Sequence, residues 1–241
     1  MKRIRLGVLT PSSNTALEPS TCAMLADLPG VSAHFSRFTV TRISLEQDAL
    51  NQFDDCKILA AASLLADARV NVIGWSGTAA GWLGFDTDRL LCARIKEATG
   101  IPATSSVLAM NEILELTGTR TLGLVSPYLS DVQSRIVANY GAAGVSVIAE
   151  AHLSISENFA FAEVDEATLS RQVGEVAAKM PQAIATYCTN LNSAHLAEEW
   201  ERRHGIPVYD TTTTVVWKML RMCGVDTRQI AGWGRVMREV I

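Results

Sequence analysis

The chain has 241 residues, 48% of them hydrophobic, with 21 basic and 25 acidic side chains for a formal net charge of -4. That length fits two small domains or one large one, and the apolar fraction supports a packed core. The acidic balance excludes the basic excess of a nucleic-acid binder. The longest apolar stretch, residues 58–66, stops far short of the ~20 residues that span a bilayer.

In chain order, the N-terminal segment Met1-Lys2-Arg3-Ile4-Arg5-Leu6 lacks an apolar region of secretory length and reads as a first strand. The expectation is a soluble, cytoplasmic protein with no membrane partner. Short β-branched runs predict strands at residues 4–9, 31–38 and 70–75, with helical apolar spacing at 59–68, 89–98 and 107–116. Residues 117–120 form a turn, after which strands are expected at 121–125, 145–151, 183–187 and 207–209. Helices are expected at 132–140, 169–178 and 196–203. Gly100 and Gly205, each followed by Ile-Pro, are helix stops. Such alternation implies α/β architecture with parallel sheets buried by helices on both faces.

The second half restates the first. Arg5-Leu6-Gly7-Val8-Leu9-Thr10-Pro11-Ser12 returns as Thr121-Leu122-Gly123-Leu124-Val125-Ser126-Pro127-Tyr128. Val72-Ile73-Gly74-Trp75-Ser76-Gly77-Thr78 returns as Ala183-Ile184-Ala185-Thr186-Tyr187-Cys188-Thr189, and Gly100-Ile101-Pro102 as Gly205-Ile206-Pro207. Offsets of 116, 111 and 105 residues, in constant order, fit a duplicated unit. The fold expected is therefore two pseudo-symmetric doubly wound domains with an active-site cleft between them. The first takes residues 1–116 plus 212–241, the last helices crossing back, and the second takes 117–211. Ligands in such sheets bind beyond the carboxyl ends of the strands, where the loops after Leu9, Trp75, Val125 and Tyr187 fall.

These loops hold the candidate chemistry. Thr10-Pro11-Ser12-Ser13-Asn14-Thr15 suits either an anion cradle or an ordinary helix cap. Ser76-Gly77-Thr78-Ala79-Ala80-Gly81 lets backbone approach a ligand closely, but it lacks the second glycine of a hydrolase nucleophile elbow. In Thr186-Tyr187-Cys188-Thr189-Asn190 a cysteine ends a strand, a position expected to favour thiolate. The other cysteines (22, 56, 92 and 223) sit in helical patterns and read as small buried hydrophobes. No short Cys-x-x-Cys spacing, P-loop, dinucleotide fingerprint or metal-ligand spacing occurs, so no cofactor and no metal are expected.

Taken together, these loops resemble the aspartate/glutamate racemase superfamily over nearly the whole chain, and are most similar to its branch of arylmalonate decarboxylases and maleate cis-trans isomerases. Leu9-Thr10-Pro11-Ser12-Ser13-Asn14 is similar to the isomerases' first loop. Ser126-Pro127-Tyr128-Leu129-Ser130-Asp131-Val132 is similar to a segment carrying a substrate-binding tyrosine, and Cys188 falls at the second-cysteine position. The resemblance implies cofactor-free chemistry at a carbon beside a carboxylate. Racemases of the superfamily use two cysteines, isomerases use the first as a nucleophile, and decarboxylases keep only the second with a glycine in place of the first. Gly77 matches the decarboxylase pattern. Ala79 departs from it, since those enzymes carry a serine there, while Asn14 and Asn158 match isomerase positions that bind a dicarboxylate.

Chemistry weighs towards the decarboxylase. Two-face proton exchange needs two placed groups, and covalent addition to an alkene needs a nucleophile where Gly77 has no side chain. Loss of carbon dioxide from a 2-substituted malonate needs stabilisation of an enediolate and one donor. The expected catalytic residues are thus Cys188, Tyr128 and Thr78, with Pro11, Ser12, Asn14, Gly77, Ala79, Asn158 and Thr189 binding a small dicarboxylate. Gly77 is expected to leave room for the substituent. A maleate isomerase or Asp/Glu-type racemase is the alternative, and a non-catalytic diacid-binding protein the alternative from another class. A homo-oligomer is left open.

Overall fold

The computed structural model describes residues 3–53 and 55–240. The first unit runs β1 (Ile4–Pro11), α1 (Leu17–Met24), β2 (Val31–Phe38), α2 (Gln47–Leu50), α3 (Asp55–Asp67), β3 (Val72–Trp75), α4 (Ala80–Leu83), α5 (Phe85–Thr99), β4 (Ala103–Ser105) and α6 (Ser106–Leu116). The second runs β5 (Thr121–Ser126), α7 (Ser130–Ala142), β6 (Ser146–His152), α8 (Glu166–Ala177), β7 (Ala183–Thr186), α9 (Ala197–His204) and β8 (Val208–Asp210). α10 (Thr211–Met222) and α11 (Val236–Glu239) follow.

Each unit forms one parallel sheet, in the orders β2-β1-β3-β4 and β6-β5-β7-β8. The registers correspond. Trp75 pairs with Leu9 on one side and Ser105 on the other, as Thr186 pairs with Val125 and Asp210. The central strands β3 and β7 are buried throughout, which explains their continuous apolar runs. α10 packs on α6, β3 and α1, and Gly74 gives it close access: a Cβ there would lie 2.5 Å from Met219 Sδ.

The predicted strands correspond to seven of the eight observed, and each predicted helix has its observed counterpart. β4 was not expected. Its Ala-Thr-Ser sequence lacks β-branched density, and it becomes a strand by pairing with β3. Gly100 and Gly205 both end helices in the left-handed conformation, at φ 71° and 74°. Among the described residues no helix is long and apolar enough to cross a membrane.

Candidate active site

The loops after β1, β3, β5 and β7 meet where the two sheets' carboxyl ends face each other. They enclose a small cavity of about 20 Å³, in which Cys188, Tyr128, Thr78, Gly77, Ala79, Thr189, Asn158 and Pro11 all take part. Val40, Ile43, Phe53, Trp75 and Trp82 complete the wall. None of these five was singled out in the sequence, because each looks like an ordinary core residue until the halves are brought together. Apart from Cys188 and Tyr128, no lining residue is ionisable.

Cys188 is 3% exposed. Burial pushes its thiol up to about 11, although a hydrogen bond from Tyr128 and backbone N–H groups of Asn190 and Leu191 act in the opposite direction. The Asn190 N–H lies 3.4 Å from Sγ. Desolvation thus outweighs the N–H dipoles that favour thiolate at this position and holds the thiol above its ordinary range. Tyr128 is buried and shares a 2.6 Å hydrogen bond with Thr78 Oγ1 across the domain boundary. Its ring meets Trp82 and Phe161 edge-on at 5.3 and 5.6 Å between centroids. Burial also holds its phenol well above the usual range.

The Cys188 loop is fixed at both ends. Asp210 Oδ2 accepts hydrogen bonds from Thr186 Oγ1 at 2.8 Å and Ser193 Oγ at 2.6 Å. Its Oδ1 caps α10 through the N–H groups of Thr212 and Thr213. The loop is also tied to the first domain: Thr189 Oγ1 donates to Ser76 O at 3.1 Å and accepts from Asn14 Nδ2 at 3.2 Å. Asn190 Oδ1 accepts from the Thr15 and Ala16 N–H groups, while its Nδ2 donates to Asn158 O.

Ser12 and Asn14 do not line the cavity. Asn14 Oδ1 accepts from the N–H groups of Ala16 and Leu17, so the entry to α1 is satisfied by side chains. These bonds hold the turn ahead of α1, whose own N-cap, Ala16, has no side-chain cap. Ser12 braces Val40 by accepting its N–H at 3.2 Å. Asn158 reaches the wall, with Nδ2 donating to Ser13 Oγ at 2.8 Å. It sits in a short inter-domain bridge in which Ile43 donates to Ser156 O and Asn158 donates to Thr41 O.

Two features suit an anion and an apolar group side by side. Among the described residues, the backbone N–H groups of Gly77, Thr78, Ala79 and Thr189 have no protein acceptor. They belong to loops that line the cavity together with Thr78 and Tyr128. Val40, Ile43, Phe53 and Trp82 give the same cavity an apolar part. A Cβ built on Gly77 would lie 2.0 Å from Trp75 Cζ2, so the indole fills the space that a side chain would take there. No group of His, Cys, Asp or Glu among the described residues is arranged to hold a metal ion.

Comparison with known proteins gives the family and the fold. A family model described as arylmalonate decarboxylase matches residues 6–237. A maleate isomerase of Nocardia farcinica is 28% identical over 249 residues, covering 98% of this chain and 96% of that one. An arylmalonate decarboxylase of Bordetella bronchiseptica is 25% identical over 237 residues, covering 97% and 96%. In fold, the chain is similar to the crystal structure of a maleate isomerase from Pseudomonas putida S16, with a TM-score of 0.92, 24% identity and complete coverage of both chains.

Proposed function

The chain belongs to the arylmalonate decarboxylase family, and from that premise we propose that it is a cofactor-independent decarboxylase of a 2-substituted malonate-type diacid. One observation carries this reading: a buried cysteine stands on one loop while the equivalent loop offers a glycine covered by an indole.

In the proposed reaction the retained carboxylate rests on the N–H groups of Gly77, Thr78, Ala79 and Thr189 and on the Thr78 and Tyr128 hydroxyls. Fixed donors of this kind stabilise the enediolate as charge moves onto it. The departing carboxylate lies against Val40, Ile43 and Trp82, where solvation is poor and neutral carbon dioxide is better accommodated than an anion. The bond between the α-carbon and that carboxylate breaks, its electron pair enters the enediolate, and the Cys188 S–H proton passes to the α-carbon. The resulting thiolate accepts the Asn190 N–H and recovers a proton from solvent. Pro11 and Asn158 bound the site directly, while Ser12 and Asn14 hold the surrounding loops.

The isomerase reading draws its support from Asn158, which lines the cavity and falls at a position that resembles the isomerases' dicarboxylate-binding asparagine. It meets the difficulty that nucleophilic addition to the alkene needs a side chain at position 77, where this chain has glycine. Incubation with a panel of 2-substituted malonates and with maleate separates the two. Carbon dioxide release from a malonate is expected; conversion of maleate to fumarate without carbon dioxide would overturn the proposal.

A further inference from the structure

The duplicated halves contain a correlated exchange at two positions two residues apart. In the second half the strand ends in Thr186 and the loop carries Cys188. In the first half the register-equivalent residues are Trp75 and Gly77. A residue and its second neighbour at a strand end point to the same side, so their side chains compete for one volume. In the second half the small Thr186 side chain is engaged with Asp210, and the neighbouring volume is available to the Cys188 side chain. In the first half the indole takes all of it: a Cβ on Gly77 would fall 2.0, 2.4 and 2.5 Å from Trp75 Cζ2, Cη2 and Cε2. Carbon atoms in contact lie about 3.5–4.0 Å apart, so no side chain fits at position 77 while the indole stays where it is.

The indole has little freedom to leave. Trp75 is 2% exposed, at the end of a central strand paired on both sides. Its ring packs on Phe38 at 5.2 Å between centroids. Its edge is rigid, unlike the far end of a flexible side chain, so accommodation requires moving the whole ring.

We propose that Trp75 is the specificity-determining residue that makes this site one-sided. Its indole holds closed the volume in which the first half would otherwise carry a second acid–base side chain, and Gly77 is glycine because Trp75 lies on it. This deepens the decarboxylase reading and rests on it, since it assumes that the α-carbon is seated between position 77 and Cys188. Trp75 and Cys188 line the same cavity. A proton therefore arrives from the Cys188 face alone, and product once formed has no partner on the other face to exchange its α-proton.

The test is a four-protein cycle of the wild type, Gly77→Cys, Trp75→Val and the double variant, with Trp75→Leu in place of Trp75→Val should the latter fold poorly. The first readout, thermal unfolding, needs no substrate. Gly77→Cys is expected to lower Tm by several degrees in the wild-type background and to leave Tm unchanged or raised in the Trp75→Val background. An equal loss in both backgrounds would overturn the proposal. The second readout is α-proton exchange and racemisation of a single enantiomer of a 2-substituted propionate in deuterated water. The double variant is expected to exceed Gly77→Cys alone by at least tenfold, and equal rates would overturn the claim. A stability reversal without exchange, in proteins that still decarboxylate, would also overturn it. No decarboxylation by the wild type would instead remove the reading on which the inference rests, leaving the packing claim to the Tm cycle.

Discussion

Ser105 and Asp210 stand at the same register position in the two halves, each beside the last residue of a central strand and each capping the helix that follows. Ser105 Oγ accepts the Leu108 N–H at the start of α6. Asp210 does this for α10 and also grips Thr186 and Ser193, the two ends of the Cys188 loop. The first half thus spends its strand-end position on a bulky wall, Trp75, and needs only a helix cap beside it. The second half keeps a small strand-end residue and adds a carboxylate that fixes a reactive loop. One backbone, used twice, supplies a passive face and an active one, and the division lies in three register-matched pairs: Trp75 with Thr186, Gly77 with Cys188, Ser105 with Asp210.

Substitutions should break this comparison unequally. Cys188→Ser removes the proposed donor and is expected to lower kcat on the true malonate by about 10³-fold, with the fold intact by circular dichroism. Near-wild-type turnover would remove the thiol from the mechanism. Asp210→Ala frees both ends of the loop and the α10 cap. It should lower kcat by roughly 10–100-fold through misplacement of the thiol and reduce stability by about 2 kcal/mol. Unchanged kcat in the folded variant would make Asp210 a cap alone.

A smaller effect, on stability, concerns Asp88 on α5. It is 1% exposed, its Oδ2 lacks a partner among the described residues, and burial pushes its carboxyl up to about 7, partly countered by Ser105. A raised folded-state value means its contribution to stability is complete below about pH 4, where the unfolded carboxyl is also protonated. That contribution is lost as pH rises through about 7, because the unfolded chain gains from ionising first. Asp88→Asn should therefore stabilise the fold and raise Tm at pH 8, by up to about 4 kcal/mol, with the gain shrinking towards pH 4. An advantage independent of pH would mean that Asp88 is charged when folded. Smallest of all, Ser105→Ala should cost about 1 kcal/mol as a lost cap and leave turnover in place. A kinetic defect matching that of Asp210→Ala would erase the distinction between the halves.

Much of this was legible in the sequence because the duplication is written in strand ends and loops. Cys188, Gly77, Tyr128 and Thr78 could be matched across the repeat, and all line one cavity. Periodicity gave the long helices but not β4, whose three residues carry no strand signal of their own. Trp75 went unread for a different reason: within an apolar strand its indole looks like core, and only the three-dimensional register shows it lying on Gly77. The repeat did contain the clue, since tryptophan stands where the second half has Thr186. The state of the Cys188 thiol was equally hidden, because local dipoles can be read from position but burial depends on the partner domain closing over it. Asn14 and Ser12 matched a binding loop in type, yet their polar atoms are engaged in joining the halves and bracing Val40.

Isotopic labelling during turnover tests the one-sided donor most directly. A 2-substituted malonate with two different α-substituents, decarboxylated in deuterated water, should give carbon dioxide and an α-deuterated acid in a single enantiomeric form, with Cys188→Ser slowing the formation of both by about 10³-fold. A racemic α-deuterated product from the wild type, formed without later exchange, would contradict the account, because protonation would then be reaching the carbon from both faces.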